Sequence, residues 1–279
     1  MAMRDPLDID FSTFPESDGQ PMAETLANAI QMTDLQWALQ TLFAGQGRGG
    51  TTTVGGNQFV YYNRFNGRDN VSPDVYVAFD RPPPGPPKWQ TWVEGKFPDI
   101  VFEITSPSTE GVDVSAGPGG KRRLYAVQGA REYYIYDPQQ EMDPVFRGYE
   151  LREGRMEPLP LLGGSGIYSP LLGAELRPLA VAQSERRPAG VWLRVIDPAS
   201  GQPVPTMDEE HRDLQEAREE LSGARTRLIE ADRARLEADR ARLEAEQRLA
   251  AAERARAEEV RQRAALEEEL RRLRGHDDG

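Results

Sequence analysis

The chain has no cysteine among its 279 residues. That excludes disulfides, thiolate zinc sites, iron–sulfur clusters and thiol nucleophiles together. Histidine is nearly as scarce: His211 and His276 are the only two, and both lie in a charged C-terminal stretch. A Ser-His-Asp triad or a multi-histidine metal site elsewhere in the chain is therefore excluded. Metal chemistry there must use oxygen ligands, which suit magnesium, manganese or calcium. No run of about 18 apolar residues exists, so no membrane span is expected. The first thirty residues carry Asp5, Asp8, Asp10, Glu16, Asp18 and Glu24 and no apolar leader segment. The expectation is a soluble, cytoplasmic protein.

What is present divides sharply near Thr206. All 22 prolines and 23 of the 26 glycines precede that point, and the formal net charge of -12 splits into -7 before it and -5 after it. The stretch 206–279 is rich in Ala, Leu, Glu and Arg, the strong helix formers. It repeats Glu230–Leu236 as Glu237–Leu243, and Leu214, Leu221 and Leu228 are seven apart. Ala224, Leu228, Ala231, Ala234, Ala238, Ala241 and Ala245 follow a spacing of three or four, one mostly alanine seam. This predicts a helix from about Asp208 to Arg274, roughly 100 Å long, with Glu230–Arg233 and Asp232–Arg235 as supporting ion pairs. The seam makes the tail a candidate coiled coil for self-association, against the alternative of a lone charged helix.

Residues 1–13 are acidic and aperiodic and read as a loose N-terminus, so 14–205 forms the expected folded domain. Ala23 to Phe43 reads as a helix, with Ile30, Leu35, Trp37, Leu39 and Leu42 as its apolar stripe. Strands are expected over 58–65, 71–79, 99–105 and 132–137, a short helix over 119–128, a hairpin over 145–159, and later strands over 163–177 and 191–196. Arg81–Pro87 is too proline-rich for a central strand and opens a loop holding Lys88, Trp89, Trp92 and Lys96. The fold class expected is mixed α/β.

Two strands carry an acid in an informative place. In Val75–Phe79 the residues Val75, Val77 and Phe79 share one face, leaving Asp74 and Tyr76 on the other. In Asp99–Thr105 the residues Ile100, Phe102 and Ile104 share a face, leaving Glu103 on the other between Val101 and Thr105. A carboxylate in an otherwise apolar strand is costly unless it is paired or bound to a cation. Two such acids on adjacent strands would make an oxygen site for a divalent ion. Ser106-Pro-Ser-Thr109 follows with hydroxyls and a sharp exit. The 34 basic residues include only three lysines, and one of them, Lys121, opens the helix after the Glu103 strand. It can reach the same site as a mobile point charge. Ion-assisted hydrolysis of a phosphodiester needs these parts.

The ordered set Val71-Ser-Pro-Asp-Val-Tyr-Val77, Asp99-Ile-Val-Phe-Glu-Ile-Thr-Ser-Pro-Ser-Thr109, Gly120-Lys-Arg-Arg-Leu-Tyr125 and Gly129-Ala-Arg-Glu-Tyr-Tyr-Ile-Tyr-Asp-Pro138 resembles the Uma-two-type family of restriction endonucleases, within the PD-(D/E)XK nuclease superfamily. Phe14–Glu24 and the charged tail are similar to a subgroup of it. The resemblance implies a restriction-endonuclease-like core and magnesium- or manganese-dependent hydrolysis of DNA. It makes Asp74 and Glu103 the metal-holding acids, Glu24 an extra acid near the ion, and Lys121 the catalytic amine. It also exposes a departure. The superfamily lysine falls two residues after the second acid, where this chain has Thr105; Lys121, on the following helix, matches a substitute. Asp113 could join the site, but its glycine-rich surroundings are hard to align.

Plainer readings stand beside these. Asp74 could cap a turn, and Glu24 could be an ordinary first-turn helix acid. Tyr133, Tyr134 and Tyr136 read as strand packing, and Trp89 and Trp92 as loop anchors more than base-stacking platforms. The net charge of -7 before Thr206 is not a nucleic-acid footprint, although Arg122, Arg123, Arg131, Arg147 and Arg152 could form a local patch. The alternative function is therefore a catalytically inactive nuclease fold serving as a nucleic-acid-binding or assembly module organised by the tail.

Overall fold

Met32, Leu35, Ala38, Leu39, Leu42 and Phe43 recur every three or four positions and are all buried along one side of α1 (Leu26–Gly45). The helix ends where Gly47 takes a positive φ of 72° and the Arg48 N–H reaches back to the Phe43 carbonyl. The structure, a computed structural model, describes residues 26–184 and 187–274. The N-terminal segment 1–13, the helix start at Ala23 and the candidate acid Glu24 lie outside the described residues. Contacts divide the chain into two units, meeting between His211 and Arg212.

In the first unit, a 3₁₀ turn (Gly49–Thr51) leads into β1 (Thr52–Gly55), β2 (Val60–Tyr61), β3 (Asn70–Val71), β4 (Val75–Phe79), β5 (Trp89–Gln90), α2 (Thr91–Glu94) and β6 (Ile100–Ile104). Next come α3 (Glu110–Val114), α4 (Lys121–Gln128), β7 (Glu132–Tyr136), β8 (Phe146–Arg152) and β9 (Arg155–Pro158). The unit closes with β10 (Leu161–Leu162), β11 (Gly166–Ser169), β12 (Ala174–Val181), β13 (Gly190–Ile196) and the first turn of α5 (Met207–Arg274). The central sheet has the order β1-β4-β6-β7-β8-β9, with β6 and β7 parallel and the other neighbours antiparallel. A four-stranded antiparallel sheet, β10-β11-β12-β13, and a small sheet, β3-β2-β5, accompany it.

Every residue of β4, β6 and β7 is buried. Both faces of the central sheet are covered, which is why these strands read as continuous apolar runs rather than alternating ones. One face packs Val75, Val77, Phe79, Ile100, Phe102, Ile104, Tyr134 and Tyr136 against α1 and against Leu176, Leu193 and Val195 of the four-stranded sheet. The Gln31 side chain pins the helix there, donating to the Leu193 carbonyl and accepting from its N–H. The other face packs Tyr76, Ala78, Val101, Tyr133 and Ile135 against Tyr125 and Ala126 of α4. The structure is thus mixed α/β with a restriction-endonuclease-like core and a long C-terminal helix.

Some expected elements differ. The strand expected over 58–65 shortens to β2 because Asn63, Asn66 and Asp69 bond one another and the local backbone, which turns the chain. The strand expected over 71–79 breaks at Ser72–Pro73, where proline has no N–H for a ladder. A helical turn, α3, forms in the glycine-rich surroundings of Asp113. Trp89 is fully buried; its indole N–H bonds the Lys96 carbonyl at 2.9 Å, and its ring lies edge-on to Tyr76. It therefore anchors the loop and has no surface for a base. Lys96 pairs with Asp99 at 2.5 Å.

The second unit, from Arg212 onward, is the continuation of α5. Leu214, Leu221, Leu228, Leu236 and Leu243 are exposed on it. Ion pairs join Arg242 to Glu246, Arg248 to Glu244 and Arg263 to Glu267, four residues apart. The pairs expected at a spacing of three, Glu230–Arg233 and Asp232–Arg235, do not form.

Candidate active site

Strand pairing determines which acids meet. β4 and β6 are antiparallel with Val75 opposite Phe102 and Tyr76 opposite Val101. Carrying that register one residue further sets Asp74 opposite Glu103. Directly opposed residues in such a pair share a face. Here it is the face of Tyr76 and Val101, which lies under α4. Asp74 is half-buried, and its Oδ2 accepts the Ile104 N–H at 2.6 Å, which ties the carboxylate to the end of β6.

Glu103 is buried, with 2% of its surface exposed. Its two oxygens have different partners. The Tyr125 hydroxyl donates to Oε1 at 2.5 Å, and the Lys121 ammonium donates to Oε2 at 2.8 Å. Lys121 and Tyr125 are four apart on α4, so both reach down from one face of the helix. Gly120 precedes the helix in a close approach that a side chain would block: a Cβ there would lie 2.1 Å from the Ser115 carbonyl oxygen.

A third acid completes the group. The Asp113 side chain, on α3, is buried, and its Oδ1 lies 3.0 Å from the Lys121 Nζ. Its Oδ2 accepts the Thr105 hydroxyl at 2.7 Å, and its backbone carbonyl accepts the Tyr133 hydroxyl at 3.0 Å. Thr105 thus steadies the acid that shares the Lys121 ammonium with Glu103. The nearby hydroxyls are largely engaged with one another: Thr109 with Thr105 at 3.0 Å, and Ser106 with Ser108 at 2.8 Å.

The electrostatics follow from this packing. Burial pushes the Glu103 carboxyl above its ordinary value, and the Lys121 charge opposes that push. Burial alone would lower the Lys121 ammonium, but Glu103 and Asp113 outweigh it and hold it above the ordinary lysine value. Lys121 therefore stays protonated, a fixed positive charge rather than a base. Burial and the Glu103 charge keep the Tyr125 hydroxyl protonated as well.

Of the sequence candidates, the structure brings Asp74, Glu103 and Lys121 to one end of β6. Asp113, which sequence reasoning left unaligned, joins them. Tyr125 was missed, although its spacing of four from Lys121 was available. Glu24 lies outside the described residues. The donors are all carboxylate oxygens, the chemistry a hard divalent ion prefers. Among the described residues, however, no three acids stand ready as a metal cage. The position between Glu103 and Asp113 holds the Lys121 ammonium instead. The acids suit an ion in type, and an ion would have to share that space with lysine.

A mixed sheet bearing acids on neighbouring strands beneath a lysine-bearing helix has the design of a restriction-endonuclease-like core. The chain belongs to the Uma2 family, described as "Putative restriction endonuclease", whose pattern matches residues 17–182, more than half of the chain. No curated protein matches the chain.

Proposed function

We propose that this protein is a metal-dependent endonuclease hydrolysing DNA phosphodiester bonds, with Asp74 and Glu103 holding a magnesium or manganese ion. When bound, the ion supplies an activated water and neutralises charge on the phosphate. The chain's own residues do the rest. Tyr125 occupies one Glu103 oxygen and leaves the other to Lys121 or the ion. Lys121, kept protonated by its acid partners, offers an N–H and a positive charge to the phosphate oxygens as negative charge builds there. Asp113, steadied by Thr105, keeps the ammonium from folding wholly onto Glu103.

The observation that carries this reading is the cation position between two buried carboxylates, 2.8 Å from Glu103 and 3.0 Å from Asp113, at the strand end where Asp74 also lies. Supercoiled plasmid nicking tests it. Ion-dependent nicking by the native protein that Asp74→Ala and Glu103→Ala each abolish is the expected result. Equal background in all samples refutes it. That outcome would favour an inactive nuclease fold acting as a nucleic-acid-binding or assembly module. A specific feature already leans that way: lysine satisfies the site's acids, and no cage of three acids is assembled among the described residues.

A further inference from the structure

The acidic balance of the chain leaves open how a polyanion would be held. Most arginines of the first unit are committed elsewhere. Arg131 pairs with Asp99, Arg147 with Glu110, Arg152 with Glu150, Arg177 with Glu175, and Arg194 with Glu209. The patch expected from Arg122, Arg123, Arg131, Arg147 and Arg152 is therefore largely neutralised. Arg123 and Arg155 are different. Both are exposed, and neither side chain makes a hydrogen bond or ion pair among the described residues. Of the described arginines in this unit, only Arg68 shares that condition.

Arg123 and Arg155 line the same cleft. It has a volume of about 450 Å³ and runs between α4 and the β8–β9 hairpin, with Ala116, Gly154 and Met156 also in its walls. Arg122 forms the base. Its guanidinium bonds the Met156 carbonyl at 2.8 Å and lies over the Tyr149 ring, which laces helix to hairpin and adds a third positive charge. No carboxylate lines the cleft. Ala116 belongs to the segment joining Asp113 to Lys121, and Arg122 follows Lys121 on α4, so the cleft and the acidic site share one stretch of chain.

We propose that this cleft is a nucleic-acid backbone-binding surface, with Arg123 and Arg155 each taking one phosphate. The inference rests on the endonuclease reading and adds to it the path of the strand. Three guanidiniums without a facing acid, on an otherwise acidic unit, favour a polyanion of spaced phosphates. Two of those forks are unpartnered, so binding releases no existing ion pair.

The test is the salt dependence of binding, read by fluorescence anisotropy with a labelled DNA duplex and the full chain in chelator, where binding is seen without hydrolysis. Each lost phosphate contact lowers the slope of log K against log salt by about 0.9. Arg123→Gln/Arg155→Gln should therefore lower it by about 1.8 and weaken binding uniformly across sequences. Arg68→Gln, outside the cleft, should leave the slope unchanged. Tryptophan emission of each variant confirms the fold. An unchanged slope in the double variant overturns the cleft, as does an equal drop with Arg68→Gln, and either leaves plasmid nicking to judge the endonuclease reading by itself. If the native protein neither binds nor nicks DNA, the endonuclease reading fails and takes the cleft with it.

Discussion

Replacing Lys121 by methionine tests the electrostatics of the site most directly. The stem is kept and the charge is lost. In the native protein one ammonium faces Glu103 at 2.8 Å and Asp113 at 3.0 Å. With an effective dielectric constant near 20, each attraction is about 6 kcal/mol in gross terms. Desolvation of three charged groups cancels much of that. Removing the cation leaves two buried carboxylates with no counter-charge, and loss of one partner of a buried pair costs about 3–5 kcal/mol. The cost must depend on pH. Glu103 is already raised above 4.5 by burial, and it rises further without the ammonium. A carboxyl raised in the folded state gives stability that is complete below its unfolded value and is lost as pH climbs through the folded value. The variant should therefore lie closest to the native protein near pH ~5 and fall furthest behind near pH ~8. The native protein has a second dependence of its own. Lys121 is raised from 10.5, so its contribution holds below that value and is lost as pH rises through the higher folded one. Urea unfolding read by tryptophan emission isolates the relevant unit, because Trp37, Trp89, Trp92 and Trp192 all precede Arg212. A cost under about 1 kcal/mol near pH ~8, or one that is the same at both pH values, would refute the reasoning.

Tyr125→Phe leaves a buried Glu103 oxygen without its donor. It should cost about 1.5–3 kcal/mol, a hydrogen bond to a charged group, in the same urea assay, and an unchanged midpoint would count against the assignment. Gly120→Ala drives a methyl group onto the Ser115 carbonyl. It should cost about 1–3 kcal/mol and reduce nicking by moving the start of α4, whereas a neutral result would mean the loop yields freely. Truncation after Pro205 removes Glu209, the acid paired with Arg187 and Arg194, and should lower the tryptophan-reported stability by about 3–5 kcal/mol, while truncation after His211 should not. If the tail self-associates through its leucine and alanine seam, sedimentation of the full chain should show a concentration-dependent dimer that the His211 truncation abolishes, and identical monomers would exclude it.

The parts of the site that could be read in sequence are those governed by short-range periodicity. A two-residue period assigns Asp74 and Glu103 to the face opposite Val75, Val77, Ile100 and Phe102, and the two cores of the structure divide along that line. The same local rules located α4 and the long α5 within a few residues. What could not be read depends on contacts distant in sequence. Nothing in Thr105–Lys121 announces that its glycine-rich chain coils into α3 and returns Asp113 to within 3.0 Å of Lys121. Nor does the spelling of 60–71 show that three polar side chains would outbid a strand there. Arginine counts misled in a different way. Arg131, Arg147 and Arg152 read as free positive charge until the fold supplied each with an acid, while Arg155, which no motif marked, keeps its guanidinium unpaired beside Arg123. Charge available to a ligand is what remains after internal pairing. In this chain part of that remainder, Arg123 and Arg155, lies along one cleft, so a net negative domain can still offer a polyanion a positive surface.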